Sequence, residues 1–361
     1  MSVSGERGTG SEFVRDYEHH VARRRRLGAA CAVGLLILAG VSVSTGVIDI
    51  PVRQVLATLL DGGGTRVSAV IWSIRLPRVL GAVVAGAGLA VAGAAMQSVL
   101  RNPLGSPFTL GISHAAAFGA AFAIIVLDAG TLGSTPADAV VLRSLHVVTV
   151  SAFLWSLLAT LAVLLIAGLR GATPESMVLA GVALGSLFTA GTAAMQYFAD
   201  DVELAAFVFW TFGDIGRVTW NDLGLMAAVT LPAAAYLTAN RWNYSALDAG
   251  EETAKSLGVD VRRVRTWGMM ASSLTTAVIV SLVGIIGFVG LVVPHMVRKV
   301  SGGEQRFLVP LSALVGATLL LASDTAARTL FAPLILPVGI LTSFLGAPLF
   351  IYLVARGREF W

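Results

Sequence analysis

The chain has 361 residues, 56% of them hydrophobic and only 13% charged, with a mean hydropathy of +0.82. That balance lies far outside the composition of soluble domains and excludes a water-soluble enzyme or binding module. The formal net charge of +4 does not point to nucleic acid, because the arginines stand between apolar runs rather than in one patch.

Residues 1–26 are polar and end in Arg23-Arg24-Arg25-Arg26, directly before an apolar stretch from Leu27 to about Val47. A basic segment ahead of an apolar run also describes a secretory signal. A cytoplasmic tail and an uncleaved first helix is the better reading, since the run approaches the ~20 residues that span a bilayer and many more follow. Cys31, the single cysteine, lies inside this run, so the chain has no disulfide framework and no cysteine-based metal site.

Further apolar segments recur at about 77–100, 108–127, 144–168, 175–198, 221–239, 266–294, 307–323, 329–343 and 345–356, giving about ten membrane helices. Backbone polar groups in hydrocarbon must be satisfied within their own segment, and alternating apolar/polar strands are absent, so a helical bundle is the expected architecture. Pro337 and Pro348 interrupt the last two segments, which alternatively belong to one hairpin. Gly81, Gly86, Gly88 and Gly93, the pair Gly181 and Gly185, and Gly284, Gly287 and Gly290 supply the small residues that let helices approach in lipid. No Walker A sequence occurs, and Gly86-Ala87-Gly88 lacks the strand and spacing of a dinucleotide fingerprint.

With the N-terminus inside and ten crossings, residues 240–265 lie in the cytoplasm. Ser245 and Asp248 resemble a helix start, Glu251 and Glu252 precede Lys255 by four and three residues, and Gly258 offers a left-handed stop after Leu257. A short surface helix over about 246–257 is expected. The same topology puts Arg75 and Arg78 at the outer mouth of helix two and Arg298 and Lys299 just outside helix seven. These cations either snorkel at the interface or meet an acidic partner docking from outside.

The run Arg75-Leu76-Pro77-Arg78-Val79-Leu80, then Gln97 and Arg101-Asn102-Pro103-Leu104-Gly105-Ser106-Pro107, resembles the FecCD family of ABC importer permeases. Gly250-Glu251-Glu252-Thr253-Ala254-Lys255-Ser256-Leu257-Gly258-Val259 looks like the coupling segment of that family. Gly287-Phe288-Val289-Gly290-Leu291-Val292-Val293-Pro294-His295, Leu336-Pro337-Val338-Gly339-Ile340 and Gly346-Ala347-Pro348 are similar to its C-terminal signature. The matches run in order from about residue 70 to 356.

The resemblance implies an all-α, ten-helix permease of the type II ABC importer fold, with a cytoplasmic tail at 1–26, a transmembrane domain over 27–356 and a cytoplasmic tail at 357–361. It implies a bacterial cytoplasmic-membrane protein with both termini inside, and a second permease subunit forming a homodimer or a heterodimer with a paralogue. Two cytoplasmic ATP-binding subunits and an extracytoplasmic substrate-binding protein complete the assembly; no nucleic acid is involved. No cofactor binds this chain directly, ATP and Mg belonging to the ATPase subunits. The implied cargo is a ferric siderophore or similar chelate, alternatively haem or a corrinoid.

On the same basis Arg75, Arg78 and Arg298 dock the binding protein. Asp248, Gly250, Glu251, Glu252, Ala254, Lys255, Leu257 and Gly258 couple to the ATPase. Gly185, Ser186 and Met195, in helix five and the segment after it, contribute to the gate. Gln97 and Asn102 either line the pathway or satisfy backbone freed near Pro103. One departure is Trp210-Thr211-Phe212-Gly213-Asp214-Ile215-Gly216-Arg217, where many relatives carry Gly-Ser-Leu after the tryptophan; with Asp200, Asp201 and Glu203 nearby the loop is acidic, and it leaves the cargo open.

His114 and His295 lack a second ligand at i+3 or i+4, which favours packing or hydrogen bonding over metal or haem ligation. Asp324 and Arg328, four apart near the inner end of helix eight, read as an ion pair before a functional intramembrane acid. A secondary transporter would need coupling-ion acids at mid-membrane, and an exporter or a membrane-embedded enzyme is the other rival; the enzyme would need convergent His, Asp, Glu or Ser groups at one depth. Neither set is evident.

Overall fold

The structure is a computed structural model that describes residues 10–46, 49–61, 66–129, 144–169, 171–332 and 334–356. All its regular elements among these residues are helices. Helix α1 (Gly10–Ser44) continues without a break from the polar N-terminal segment into the first apolar run. The short helices α2 (Val52–Asp61) and α3 (Arg66–Val70) follow, and α3 passes through a π-helical turn at Ile71–Arg75 into α4 (Leu76–Val99). Pro77 lacks a backbone N–H and its ring crowds the carbonyl one turn earlier, so the wide turn falls where an α-helical bond would be lost.

Helix α4 is the hub and packs on α9 (Trp220–Ala239), α12 (Val261–Val283), α13 (Val289–Ser301) and α14 (Gln305–Thr329). Its glycines are the reason. A Cβ on Gly86 would lie 2.3 Å from the Gly316 carbonyl oxygen, and one on Gly93 would lie 1.7 Å from that of Gly290. Close backbone approach through small residues is thus the packing device along this helix. Beside it, α5 (Ile112–Ala121, extended by a π-helical turn to Val126) packs on α6 (Leu145–Leu169) and α7 (Pro174–Phe198). A short α8 (Asp201–Thr211), capped by Asp200, leads to α9. Helices α10 (Arg241–Asp248) and α11 (Glu251–Ser256) join α9 to α12, and α15 (Val338–Arg356) closes the described chain.

Among the described residues seven helices are long and apolar enough to cross a membrane, and α5 and α15 are shorter apolar ones. With α13, whose 13 residues reach only about 20 Å, these make ten membrane elements, but not the ten expected. The run at 266–294 is two helices: α12 stops at Val283, the chain turns through Gly284 at φ +80°, and α13 begins after Phe288 at φ +65°. Conversely, 329–343 and 345–356 are not two spans. Helix α14 ends at Thr329, and α15 runs unbroken through Gly346 and Pro348.

Only glycine fits at 284, where a Cβ would meet the Trp210 carbonyl oxygen at 2.4 Å and where φ is left-handed. The Trp210–Arg217 loop braces this break: the Asp214 amide and Arg217 Nη2 each donate to the Val283 carbonyl at 2.8 Å. The departure from the family pattern therefore falls on a structural support of the broken helix. The acidic residues in and before it also have local work, since Asp200 and Glu203 form a capping box on α8 and Asp214 accepts from the Gly216 amide.

Tryptophans mark both ends of the bundle. Trp220 Nε1 donates to the Trp72 carbonyl at 2.8 Å, and about 30 Å away along α9 lies the exposed Trp242. Two aromatic belts separated by the thickness of a hydrocarbon core are the pattern of a membrane-spanning protein.

Candidate functional site: two charged ends and a central cavity

At the end marked by Trp72 and Trp220, the π-helical turn and the start of α4 aim two arginines inward. Arg75 is buried and donates from Nη1 to the Val43 and Ser44 carbonyls at 2.5 and 2.9 Å. Arg78 forks onto Asp324, with Nε 3.0 Å and Nη2 2.8 Å from Oδ1. From the next turn of α14, Arg328 donates through Nε to the other carboxylate oxygen at 3.2 Å. Its Nη1 donates to the Thr45 carbonyl at 3.0 Å and its Nη2 to Ser42 Oγ at 2.7 Å. Asp324 is fully buried, so one carboxylate clasps two guanidinium groups and fastens α4 and the end of α1 to α14. The expected Asp324–Arg328 pair is present, but at the Arg75 end of the bundle rather than the opposite one.

At the other end the expected single helix over 246–257 is two, parted at Gly250, where φ is +127°. Glu251 holds Lys255 at 3.0 Å and Arg265 at 2.8 Å, which anchors α11 to α12, and Glu252 lies 3.4 Å from Lys255. Hydrogen bonds from Lys255 and Arg265 hold the Glu251 carboxyl below the usual range. Ala254 is buried, Gly258 closes the helix at φ +80°, and Leu257, Glu252 and Lys255 face outward with Trp242. Asp248 turns the other way. It accepts from Gln305 Nε2 at 2.6 Å and Ser98 Oγ at 3.4 Å and lies 3.8 Å from Arg298 Nη1. This node ties α10 to α4, α13 and α14; burial raises the Asp248 carboxyl against the opposing pull of Gln305, Arg298 and Ser98.

Arg298 is thus the one expected docking residue that the structure separates from Arg75 and Arg78. Because α12 ends at Val283 and α13 returns, Arg298 shares an end with Asp248, and α4, about 36 Å long, lies between that end and Arg75.

Between the ends, a half-open cavity of about 770 Å³ is lined by the turn before α5, the α12–α13 break and one face of α15. Phe108, Phe212, Phe288 and Phe344 dominate its wall, and its polar groups are hydroxyls and backbone rather than charges. None of the five expected pathway residues lines it. Gln97 donates to the Leu291 carbonyl at 3.0 Å, holding α13 on α4, and Asn102 Oδ1 accepts from the Leu104 amide at 2.9 Å, the structural alternative for the turn at Pro103. Gly185 packs against Gly111 and His114, Met195 packs beside the α5–α6–α8 core, and Ser186 is on the exposed face of α7. His114 also packs at a tilt against Phe108, ring centroids 4.4 Å apart, and His295 meets Phe350 edge-on at 6.3 Å.

Residues 34–356 match the FecCD transport family. The chain is 52% identical to a protein of Methanocaldococcus jannaschii provisionally named as an ABC transporter permease, covering 96% of this chain and 98% of that one. It is 37% identical to the hemin transport system permease protein HmuU of Yersinia pestis and 36% identical to the vitamin B12 import system permease protein BtuC of Vibrio cholerae, each over 90% of this chain and 94% of the relative. Among solved structures, an inward-facing ABC transporter provisionally assigned to the metal-chelate type matches with a TM-score of 0.80 at 31% identity, covering 92% of this chain and 99% of that one.

Proposed function

The chain belongs to the FecCD transport family and is the permease subunit of an ABC importer; from that premise we propose that it carries a ferric siderophore or a similar metal chelate through the cavity between α13 and α15. The observation that carries this reading is the cavity itself: a wide, phenylalanine-rich wall without acidic or basic side chains suits an amphipathic chelate whose own ligands hold the metal. The same aromatic wall favours haem as the second reading, since flat macrocycles stack on phenylalanine.

The basic end, with Arg23–Arg26, Arg101, Arg298 and Lys299, faces the cytoplasm by the positive-inside tendency, and the Arg75 end faces outward. Arg298 and Lys299 no longer oppose that tendency. At the outer end Arg78 and Arg328 share Asp324, with Arg75 beside them and Asp214 3.9 Å from Arg78, and this local arginine cluster is the contact for an acidic face of a binding protein. Two ATP-binding subunits supply ATP and Mg and seat on α10 and α11. Their closure moves α10, and the Asp248 node passes the motion to α13, whose first turn forms the cavity wall. A second permease subunit covers the apolar faces left open on α7 and α15, at Leu179, Leu187 and Phe344.

The test is assembly. Co-expressed ATPase subunits should co-purify with this chain and be lost when residues 251–258 are replaced by a Gly/Ser linker, while the bundle keeps its thermal midpoint. Retention of the ATPase by the linker variant would place the coupling contact elsewhere.

A further inference from the structure

Helix α1 carries four consecutive arginines, and the fold treats one of them differently. Arg24 pairs with Glu304 at the start of α14 and lies over the Phe307 ring, 5.2 Å from its centroid. Arg23, Arg25 and Arg26 are exposed. The Arg24 contact fixes the rotation of α1. At about 100° per residue, Arg23 and Arg26 then fall in the sector of Ala30, Val33, Ile37 and Val41, with Arg25 at its edge beside Leu36. That sector is the open face of α1: Leu36 is 73% exposed and Ile37 64%. The opposite sector, with Leu27, Leu35 and Leu38, packs into the bundle core. From Leu27 to Ser44 the helix climbs about 27 Å, close to the thickness of the hydrocarbon core, so the three guanidinium groups stand at headgroup depth.

We propose that Arg23, Arg25 and Arg26 form a binding surface for anionic phospholipid headgroups, whose phosphates they meet at the foot of the lipid-facing stripe of α1. Apolar contact along the stripe takes the acyl chains, and the arginines select the headgroup. Guanidinium forks match phosphate geometry, and each basic group near an anionic surface contributes about a fivefold preference, so three together give about a hundredfold. The surface has no part in cargo passage or in the Asp248 node, and it rests only on the chain spanning a membrane.

The full chain, co-expressed with its ATPase subunits, is reconstituted in phosphatidylcholine vesicles with and without phosphatidylglycerol, and the lipid retained after detergent extraction is measured by native mass spectrometry. Phosphatidylglycerol should be retained over phosphatidylcholine by about a hundredfold at low salt, falling as ionic strength rises. The Arg23→Gln/Arg25→Gln/Arg26→Gln variant should lose that preference, and the corresponding Lys variant, which keeps the charge and the topology signal, should hold most of it. A wild-type chain that retains both lipids equally would overturn the proposal. So would an unchanged preference in the Gln variant, or a Gln variant that loses its ATPase subunits while keeping phosphatidylglycerol.

Discussion

Asp324→Asn removes the one carboxylate that Arg78 and Arg328 share. In the native structure three guanidinium N–H groups lie 2.8–3.2 Å from its oxygens, and the side chain is sealed from water. Asparagine has nearly the same shape but offers an NH2 where a guanidinium donates, and it leaves the largely buried Arg328 without its carboxylate and Arg78 with only Asp214, 3.9 Å away. Breaking a buried pair in this way costs about 3–5 kcal/mol, several times the ~1 kcal/mol ceiling of exposed pairs. We expect the folding free energy, measured by reversible denaturant unfolding in mixed micelles, to fall by at least ~3 kcal/mol. Replacing all three groups together, Asp324→Leu with Arg78→Met and Arg328→Met, should restore much of that loss because no unpaired charge remains, yet it should abolish stimulation by the binding protein. A loss below ~1 kcal/mol for Asp324→Asn would show the clasp to be solvated and would refute the buried-carboxylate argument.

Gly93→Ala should prevent α13 from seating on α4, because the added methyl meets the Gly290 backbone at 1.7 Å with no flexible side chain to yield; a loss of more than ~3 kcal/mol in the same assay is expected, whereas Gly34→Ala, facing open space, should be silent. Asp248→Asn should leave ATPase binding intact while reducing cargo uptake per ATP hydrolysed, read as the ratio of transport to phosphate release in proteoliposomes; an unchanged ratio would exclude the node from coupling. Ser343→Trp, which fills the cavity from α15, should block uptake without affecting assembly, and normal uptake would move the pathway elsewhere. Glu251 has a lowered pKa, so its ties to Lys255 and Arg265 contribute stability above the ordinary glutamate range and lose it only as pH falls through the lower folded value. Hydrogen exchange of α11 should therefore stay slow from neutral pH down to that range and rise only below it, and Glu251→Gln should remove the dependence.

Membrane residence, the helical architecture and the ten elements were legible in the sequence, because apolar length and the need to satisfy backbone groups in lipid leave few alternatives. The partition of the last third was not. Residues 266–294 carry no charge, so hydropathy runs across Gly284 as though the helix continued, whereas in the structure the chain turns at Gly284 and the Trp210–Arg217 loop donates to the Val283 carbonyl. The break reverses the direction of the chain after it and carries Arg298 to the end opposite Arg75. The sharing of Asp324 between Arg78 and Arg328 is hidden in the sequence for the same reason, since a continuous helix over 266–294 gives α14 the wrong polarity. The ion pairs of Glu251 and Glu252 with Lys255 were visible from spacing alone, being local to one helical turn. The cavity was not, since its wall joins residues from Leu89 to Pro348 that only the fold brings together.

The most direct measurement is ATP-driven uptake by the assembled transporter. Proteoliposomes containing this chain and its ATPase subunits, with the binding protein outside and ATP inside, are given labelled ferric siderophore, hemin or cobalamin. Accumulation of a chelate that requires both ATP and the binding protein, and that is lost on Ser343→Trp, is the expected result. Uptake that proceeds without ATP hydrolysis and collapses with an ion gradient would contradict the importer reading.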